Sequence, residues 1–568
     1  MVVYVASRIF TWACFEYVFM SIPPAPTLLL ALGGTTLLLS RWVQTSRWFE
    51  GAWLAGTAGA FWLVVTQDST VDASHAASQL WTTDSLAQAG QCLALLTGTL
   101  FGTGSFGISS PRERTAERLG FLSLIVAGVL LVSSATDLIS LVLSLEIVQF
   151  ASWGLHRSDR TESSDLAHDH GASSDADAGP NGASEFRLWD GIISSCCVWM
   201  GIAFLTALTA ATRYQEIRMV LADAYVPNSR PMIGSGSNLG MLAIGLIVAG
   251  IGSRIGLVPW QTGLIESGRH VRYWSAGCIQ SLGLLSGFLA LTRLCGTVWV
   301  GFRNEIIVIL LVTAGLTGLV SAGLAGLGLR NGEGRLRRWT TSILMLQSAW
   351  LSVGVIAVAS GLAVPDLRTV GASQEPGALK VLVFAIAAGQ VAIAGLFLTL
   401  SYLERDGRNV EFVEELMGLG SLRPTAAVTL IVILASLAGQ PLLWGFWAHW
   451  WLLMSGLNVP AVVGREIPTS HPGLIVLLIT NLVATLPLMA VVLRFVRVLL
   501  LEQPISRTLP QGKRAALFVS CGCGLLLIAV GICPAVAFNA TSRVELPDFK
   551  RTQDPPTGST RGTATARR

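Results

Sequence analysis

The chain has 568 residues, of which 52% are hydrophobic and only 13% charged, and its mean hydropathy is +0.61. Soluble domains carry about a quarter charged residues, so this composition excludes a soluble enzyme, a nucleic-acid-binding protein and a disulfide-stapled secreted domain. The formal net charge of +4 is too small to imply an acidic partner. Apolar runs of about 18 to 25 residues recur almost from end to end, and each is long enough to cross a bilayer core. The composition therefore predicts an all-α polytopic membrane protein.

The apolar runs predict about fourteen transmembrane helices. In chain order, the predicted spans are 25–40, 51–66, 86–107, 118–135, 138–155, 190–212, 238–258, 273–295, 305–329, 340–363, 379–402, 424–456, 474–499 and 515–538. Arginines concentrate on alternate connections, for example at Arg112, Arg114 and Arg118. The positive-inside rule assigns these connections to the cytoplasm, so both termini are expected on the other side of the membrane.

Two segments differ in composition from the predicted spans. Residues 156–188 consist mainly of Ser, Ala, Gly and Asp, and the tail 541–568 is rich in Pro, Thr and Arg. Such sequences bury too little apolar surface to offset the entropy lost on ordering, so both segments are predicted to be disordered. The rest of the chain is predicted to form four units. These are helices 1–3 (1–115), a first repeat that contains the polar insert (116–300), a second repeat (301–500) and a last helix (501–540).

Three ionisable residues stand out among those inside predicted spans, where an unpaired charge costs several kcal/mol. Glu146 is in the middle of its span. Arg254 precedes Pro259 by five residues, and His449 follows Pro441 by eight. Proline interrupts helices, and broken helices inside a membrane occur where neighbouring groups or water satisfy the freed backbone atoms. The pattern therefore predicts polar sites beside two helix breaks.

Simpler interpretations of the three residues stay open. Glu146 and Arg254 could form an interhelical ion pair that only fixes the packing of their helices. His449 stands among four tryptophans between residues 444 and 451, so it could belong to an aromatic belt at the membrane interface.

Four motifs occur in order along the chain: LISLVLSLEIVQF (138–150), SRIGLVP (253–259), RLRRWTTSILMLQSAW (335–350) and SLAGQPLLWGF (436–446). Together they resemble the fifth, seventh, tenth and twelfth spans of the antiporter-like membrane subunits of the proton-pumping NADH:quinone oxidoreductase (respiratory complex I). The resemblance covers residues 85–500 and is closest to the N subunit. It places Glu146 at the glutamate of that family, and Gln347 at its tenth-span polar position.

The resemblance implies an all-α fold with two antiporter-type inverted repeats and helices broken near Pro259 and Pro441. It also implies that Glu146, Arg254 and His449 take part in a proton relay or charge pair. The sequence departs from the family pattern here, because Arg254 and His449 stand where the family has lysines. Arginine keeps its proton in proteins, so Arg254 can set an electric field but cannot pass a proton. Any relay must run through Glu146, His449 and bound water.

The predicted function is that of an N-like subunit that couples quinone reduction elsewhere in the complex to proton translocation. No glycine-rich nucleotide motif follows a predicted strand, and the cysteines lack the spacing of an iron–sulfur cluster site. NADH, flavin, iron–sulfur clusters and quinone are therefore expected in partner subunits, and no metal site is expected. The expected partners are the other membrane and peripheral subunits of complex I and the lipid of the inner (cytoplasmic) cell membrane. The alternatives are a non-pumping structural paralogue and a subunit of a cation/proton antiporter.

Overall fold

The computed structural model describes residues 23–40, 46–67, 81–106, 115–169, 182–223, 236–261, 271–299, 303–330, 335–361, 377–404, 410–457, 472–503, 514–541 and 544. Every regular element within these ranges is a helix, which confirms the predicted all-α fold.

Seventeen helices of eight residues or more are labelled in chain order. They are α1 (Pro24–Ser40), α2 (Ser46–Thr66), α3 (Ser85–Gly104), α4 (Thr115–Ser134), α5 (Leu138–Asp169), α6 (Gly182–Thr209), α7 (Tyr214–Asp223), α8 (Gly236–Ile255), α9 (Tyr273–Arg293), α10 (Arg303–Arg330), α11 (Leu336–Gly361), α12 (Ala378–Tyr402), α13 (Pro424–Leu437), α14 (Trp444–Leu457), α15 (Pro472–Val496), α16 (Arg514–Ile532) and α17 (Pro534–Thr541). Short π-helical turns, Leu294–Val298 and Arg497–Leu501, extend α9 and α15.

In the described part of the chain, ten helices are long and apolar enough to cross a membrane. Two shorter apolar helices, α1 and α13, accompany them. The protein is therefore a multi-pass membrane protein, although the predicted number of about fourteen spans is not confirmed. The single span predicted over 424–456 consists of two helices, α13 and α14, because the chain turns sharply between them.

Helices α11 and α12 form the centre of the bundle, and both are enclosed by other helices along their apolar windows. Helix α9 is nearly as deeply buried. By contrast, less than half of the apolar window is buried in α6, α10, α15 and α16, which lie on the outside of the bundle. A helix that is apolar all round suits either a protein interior or lipid, and the tertiary packing decides which of these surroundings each helix has.

Both predicted helix breaks occur. The first comes at Gly256 (φ +72°), three residues before Pro259. The second comes at Gly439 (φ +73°), two residues before Pro441. These left-handed conformations favour glycine, which has no Cβ to collide with the backbone. Leu442 in the second break also has a positive φ (+71°), a strain of about 1–3 kcal/mol that the surrounding packing must hold in place.

The polar insert is more helical than the sequence predicts. Helix α5 continues to Asp169 and α6 begins at Gly182, so residues 156–169 and 182–188 are helical rather than disordered. Extending a nucleated helix costs far less than starting one, and no glycine or proline interrupts the chain between Gly154 and Gly171. Residues 170–181 lie outside the described residues. So does the predicted disordered tail 541–568, apart from residues 541 and 544.

Candidate functional site

The first break holds Arg254, in the last turn of α8, against α5. Its Nη1 atom donates a hydrogen bond of 2.9 Å to the carbonyl oxygen of Leu145, the residue just before Glu146. Glu146 and Arg254 are both described, and no direct ion pair joins their side chains. The structure thus brings Arg254 to the backbone of α5 beside Glu146, without a direct contact between the two side chains.

Helix α11 passes between the two breaks and binds the ends of both broken helices. Gln347 donates through Nε2 to the carbonyl oxygen of Leu437, at the end of α13, over 2.8 Å. The next residue, Ser348, donates through Oγ to the carbonyl oxygen of Ile255, at the end of α8. The last carbonyls of a helix lack intrahelical donors, and a membrane interior offers them no bulk water. Two adjacent side chains therefore cap both breaks at one depth of the bundle.

Two neighbouring helices support this arrangement. On α10, Thr317 accepts a hydrogen bond of 3.0 Å from the backbone N–H of Val258, inside the first break. On α15, Asn481 is fully buried and donates to the carbonyl oxygen of Ala349 over 3.2 Å. The backbone around the first break and the 347–349 turn of α11 are therefore held by side chains from several helices.

His449 lies at the second break, in the second turn of α14. Its ring packs on the ring of Trp350 of α11, with 4.9 Å between the centroids and 30° between the planes. The Nδ1 atom lies close over Gly439, where an added Cβ would come within 2.6 Å of it. The ring therefore faces the interior of the bundle. His449 contacts neither Glu146 nor Arg254, and its connection to the first break runs through α11.

Sequence reasoning missed a polar group on α12. The buried Gln390 accepts hydrogen bonds through Oε1 from Ser281 of α9, over 2.5 Å, and from Thr97 of α3, over 3.4 Å. Ser281 lies in the eighth predicted span, 273–295. The sequence signal for Gln390 is the one that identifies Glu146, a single polar residue in the middle of an apolar run.

A buried ion pair was missed as well. Arg293, at the end of α9, pairs with Asp84 over 2.6 Å, and their side chains are 2% and 12% exposed. Arg293 also donates through Nε to the carbonyl oxygen of Ser133, at the end of α4. Asp84 in turn caps α3 by accepting from the N–H of Ala87. The pair therefore joins three helices, and the sequence shows only two charges near the ends of predicted spans.

The capping role of α11 leads to a first prediction. We expect Ser348→Ala and Gln347→Leu each to lower the free energy of unfolding by about 1–3 kcal/mol, because each leaves a buried carbonyl without its side-chain donor. Ser352→Ala is the matched control, since the buried Ser352 donates only to a carbonyl of its own helix. Thermal unfolding of the purified chain in detergent, followed by tryptophan fluorescence, provides the measurement. Equal losses in the control and in Ser348→Ala would contradict the capping role.

Known proteins are similar to this chain in sequence and in fold. The family described as "NADH:quinone oxidoreductase/Mrp antiporter, TM" matches residues 370–468, which include the second break and His449. NADH-quinone oxidoreductase subunit N of Anaeromyxobacter sp. is 22% identical over 370 residues, which cover 61% of this chain and 62% of that protein. The same subunit of Methylobacterium nodulans is 26% identical over 467 residues, which cover 78% and 84%. The chain thus spans less than two thirds of the first relative and more of the second.

Among solved structures, a chain of respiratory complex I from Thermus thermophilus with bound aureothin superposes with a TM-score of 0.68. The two sequences are 16% identical, and the superposition covers 92% of this chain and 100% of the other. At this identity the superposition shows only a shared fold. The similarity to N subunits comes from the sequence relatives. The chain is thus similar to the NADH:quinone oxidoreductase/Mrp antiporter family over residues 370–468, to N subunits of NADH-quinone oxidoreductase in sequence, and to a chain of respiratory complex I in fold.

Proposed function

We propose that this chain is an N-like membrane subunit that contributes proton translocation to an NADH:quinone oxidoreductase, driven by quinone reduction elsewhere in the complex. The observation that carries the proposal is the pair of helix breaks capped by adjacent residues of α11. Each break holds ionisable groups, Glu146 with Arg254 at the first and His449 at the second. Polar groups beside broken helices at the centre of a membrane are how many transporters build their ion sites.

The three residues have different roles in this proposal. Glu146 and His449 can each gain and lose a proton, so they carry protons together with bound water. Arg254 keeps its charge and acts on Glu146 through its electric field. Its hydrogen bond to the carbonyl of Leu145 holds the guanidinium on α5. A shift of α8 relative to α5 would therefore change the field at Glu146, which is a route for coupling movement to proton transfer.

The proposal extends to cofactors, partners and location. The curated relatives are subunits of an enzyme complex, and we propose that NADH, flavin, iron–sulfur clusters and quinone bind in partner subunits rather than in this chain. Its partners would be the other membrane and peripheral subunits of that complex. The proposed location is the inner (cytoplasmic) cell membrane, with both termini on the non-cytoplasmic side, which the arginine-rich connections support.

The test of the proposal is Glu146→Gln in the assembled complex, reconstituted in vesicles. We expect the variant to abolish this subunit's share of the protons translocated per NADH oxidised, because an amide cannot carry a proton. Arg254→Met should also lower that ratio, since it removes both the field and the contact to Leu145. Glu305→Gln, at the start of α10, is the control for loss of an acidic residue. An unchanged proton-to-electron ratio in an assembled Glu146→Gln complex would refute the proposal.

Two other functions have observations in their favour. A structural paralogue that no longer pumps is favoured by Arg254, a group that cannot titrate at the position of a family lysine. A subunit of a cation/proton antiporter is favoured by the family description, which includes Mrp antiporters. Purification of the chain with its natural partners separates them. Complex I subunits would accompany the first, and antiporter subunits the second.

A further inference from the structure

A groove runs between α13 and α16 on the outside of the bundle and is called here the α13–α16 groove. Its volume is about 390 Å³. Its walls include Val428, Val432, Leu525 and Ile528. Two of these residues, Val428 and Leu525, are 53% and 69% exposed, so the groove opens sideways toward the membrane.

The interior of the groove suits a hydrocarbon chain. Its polar side chains are Thr425, Thr429 and Cys521, and the last two contact each other, with 3.2 Å between Oγ1 and Sγ. Gly524 contributes no side chain, which keeps the groove open. A cavity of 300–1,000 Å³ with apolar walls is typical of ligand sites. In a membrane, the apolar group that faces the open side of the groove is the acyl chain of a lipid.

The two helices begin side by side at one end of the groove, the end that Pro424 lines, which is called here its mouth. The contact between Thr429 and Cys521 lies five residues after the start of α13 and seven residues after the start of α16. At a rise of 1.5 Å per residue, the two N-termini differ in depth by only about 3 Å. The positive ends of both helix dipoles are therefore close to this mouth, where they favour a negative charge.

Two arginines stand at the N-terminal ends of these two helices. Arg423 immediately precedes α13, and its Nε atom is buried without a hydrogen-bond partner among the described residues. Arg514 is the first residue of α16 and is exposed. In the described part of the chain, no carboxylate pairs with either guanidinium. Arginine matches the geometry of a phosphate group, so the mouth is complementary to one in both charge and hydrogen-bonding capacity.

We propose that the α13–α16 groove binds an anionic phospholipid, with an acyl chain between Val428 and Leu525 and the phosphate held by Arg423 and Arg514. The bound lipid ties α13 to α16. Because α13 ends at the second break, the lipid steadies the half-helix whose last carbonyl Gln347 binds. The site depends only on the membrane fold and not on whether the chain pumps protons.

The experiment compares lipids on the full-length chain after purification and delipidation in detergent. Phosphatidylglycerol and phosphatidylcholine with the same acyl chains are titrated, and binding is read from native mass spectrometry and from the rise in melting temperature. We expect phosphatidylglycerol to bind more tightly than phosphatidylcholine. Arg423→Gln and Arg514→Gln should each weaken phosphatidylglycerol binding about fivefold, as one basic residue contributes near an anionic lipid. Gly524→Leu should abolish binding, because its side chain occupies the groove.

Matched controls distinguish the site from general charge or packing effects. Arg330→Gln removes an exposed arginine at the end of α10, and Gly522→Leu adds a leucine two residues away, where no atom lies within 4 Å of the new Cβ. Both should leave binding unchanged. Equal binding of the two lipids, or equal losses in Arg330→Gln and Arg423→Gln, would overturn the proposal. Inorganic phosphate alone reproducing the rise in melting temperature would reduce the site to an anion site and would also overturn it. If Gly524→Leu fails to fold, the arginine variants still decide.

Discussion

Arg293→Met is expected to lower the free energy of unfolding by about 3–5 kcal/mol, the largest stability loss that we expect from a single substitution in this protein. The substitution keeps a long apolar side chain but leaves the Asp84 carboxylate buried without its cation. It also removes the donor to the carbonyl oxygen of Ser133. Thermal and denaturant unfolding of the purified chain, followed by tryptophan fluorescence, provide the measurement.

The matched control for Arg293→Met is a second ion pair of almost the same length. Arg494 and Glu414 are 2.7 Å apart, but their side chains are 23% and 33% exposed. Arg494→Met should therefore cost no more than about 1 kcal/mol from the loss of the pair, since solvent already screens it. The double variant Asp84→Asn with Arg293→Met should regain part of the loss, because no unpaired charge stays buried. Similar losses in Arg293→Met and Arg494→Met would contradict the assigned role of burial.

His449→Ala is expected to abolish this subunit's share of proton translocation while the complex assembles normally. An imidazole can accept a proton on one nitrogen and release it from the other. Alanine removes both nitrogens. The measurement is the number of protons translocated per NADH oxidised in vesicles that contain the assembled complex.

Two further variants separate proton transfer from packing at the second break. His449→Lys restores the residue that the resemblance places at this position and should retain part of the activity. Trp350→Phe alters the ring on which His449 packs without removing a titratable group, so it should leave the proton-to-electron ratio unchanged. If His449→Ala leaves the proton-to-electron ratio unchanged in a fully assembled complex, the chain is a non-pumping structural paralogue and His449 serves only packing.

The sequence was sufficient for features that depend on local chemistry. The apolar runs predicted an all-α membrane protein, because helices satisfy every backbone group without a partner. The prolines at 259 and 441 predicted both breaks, because proline removes a backbone donor and clashes with the preceding turn. Local reasoning was less reliable for the polar insert. There α5 continues to Asp169, because the already formed part of the helix nucleates helical structure in a segment whose composition alone disfavours it.

Only the tertiary structure decided which polar groups meet. Gln347 and Ser348 each bind a carbonyl about 90 residues away along the chain, and Arg293 pairs with Asp84 across 209 residues. No local pattern encodes such partners, because they follow from how buried helices cross. The sequence identified Glu146 and Arg254 as charged residues that require a polar or charged partner inside a membrane. The structure showed that the guanidinium binds the carbonyl of Leu145, since a fixed backbone oxygen on α5 lies within its reach.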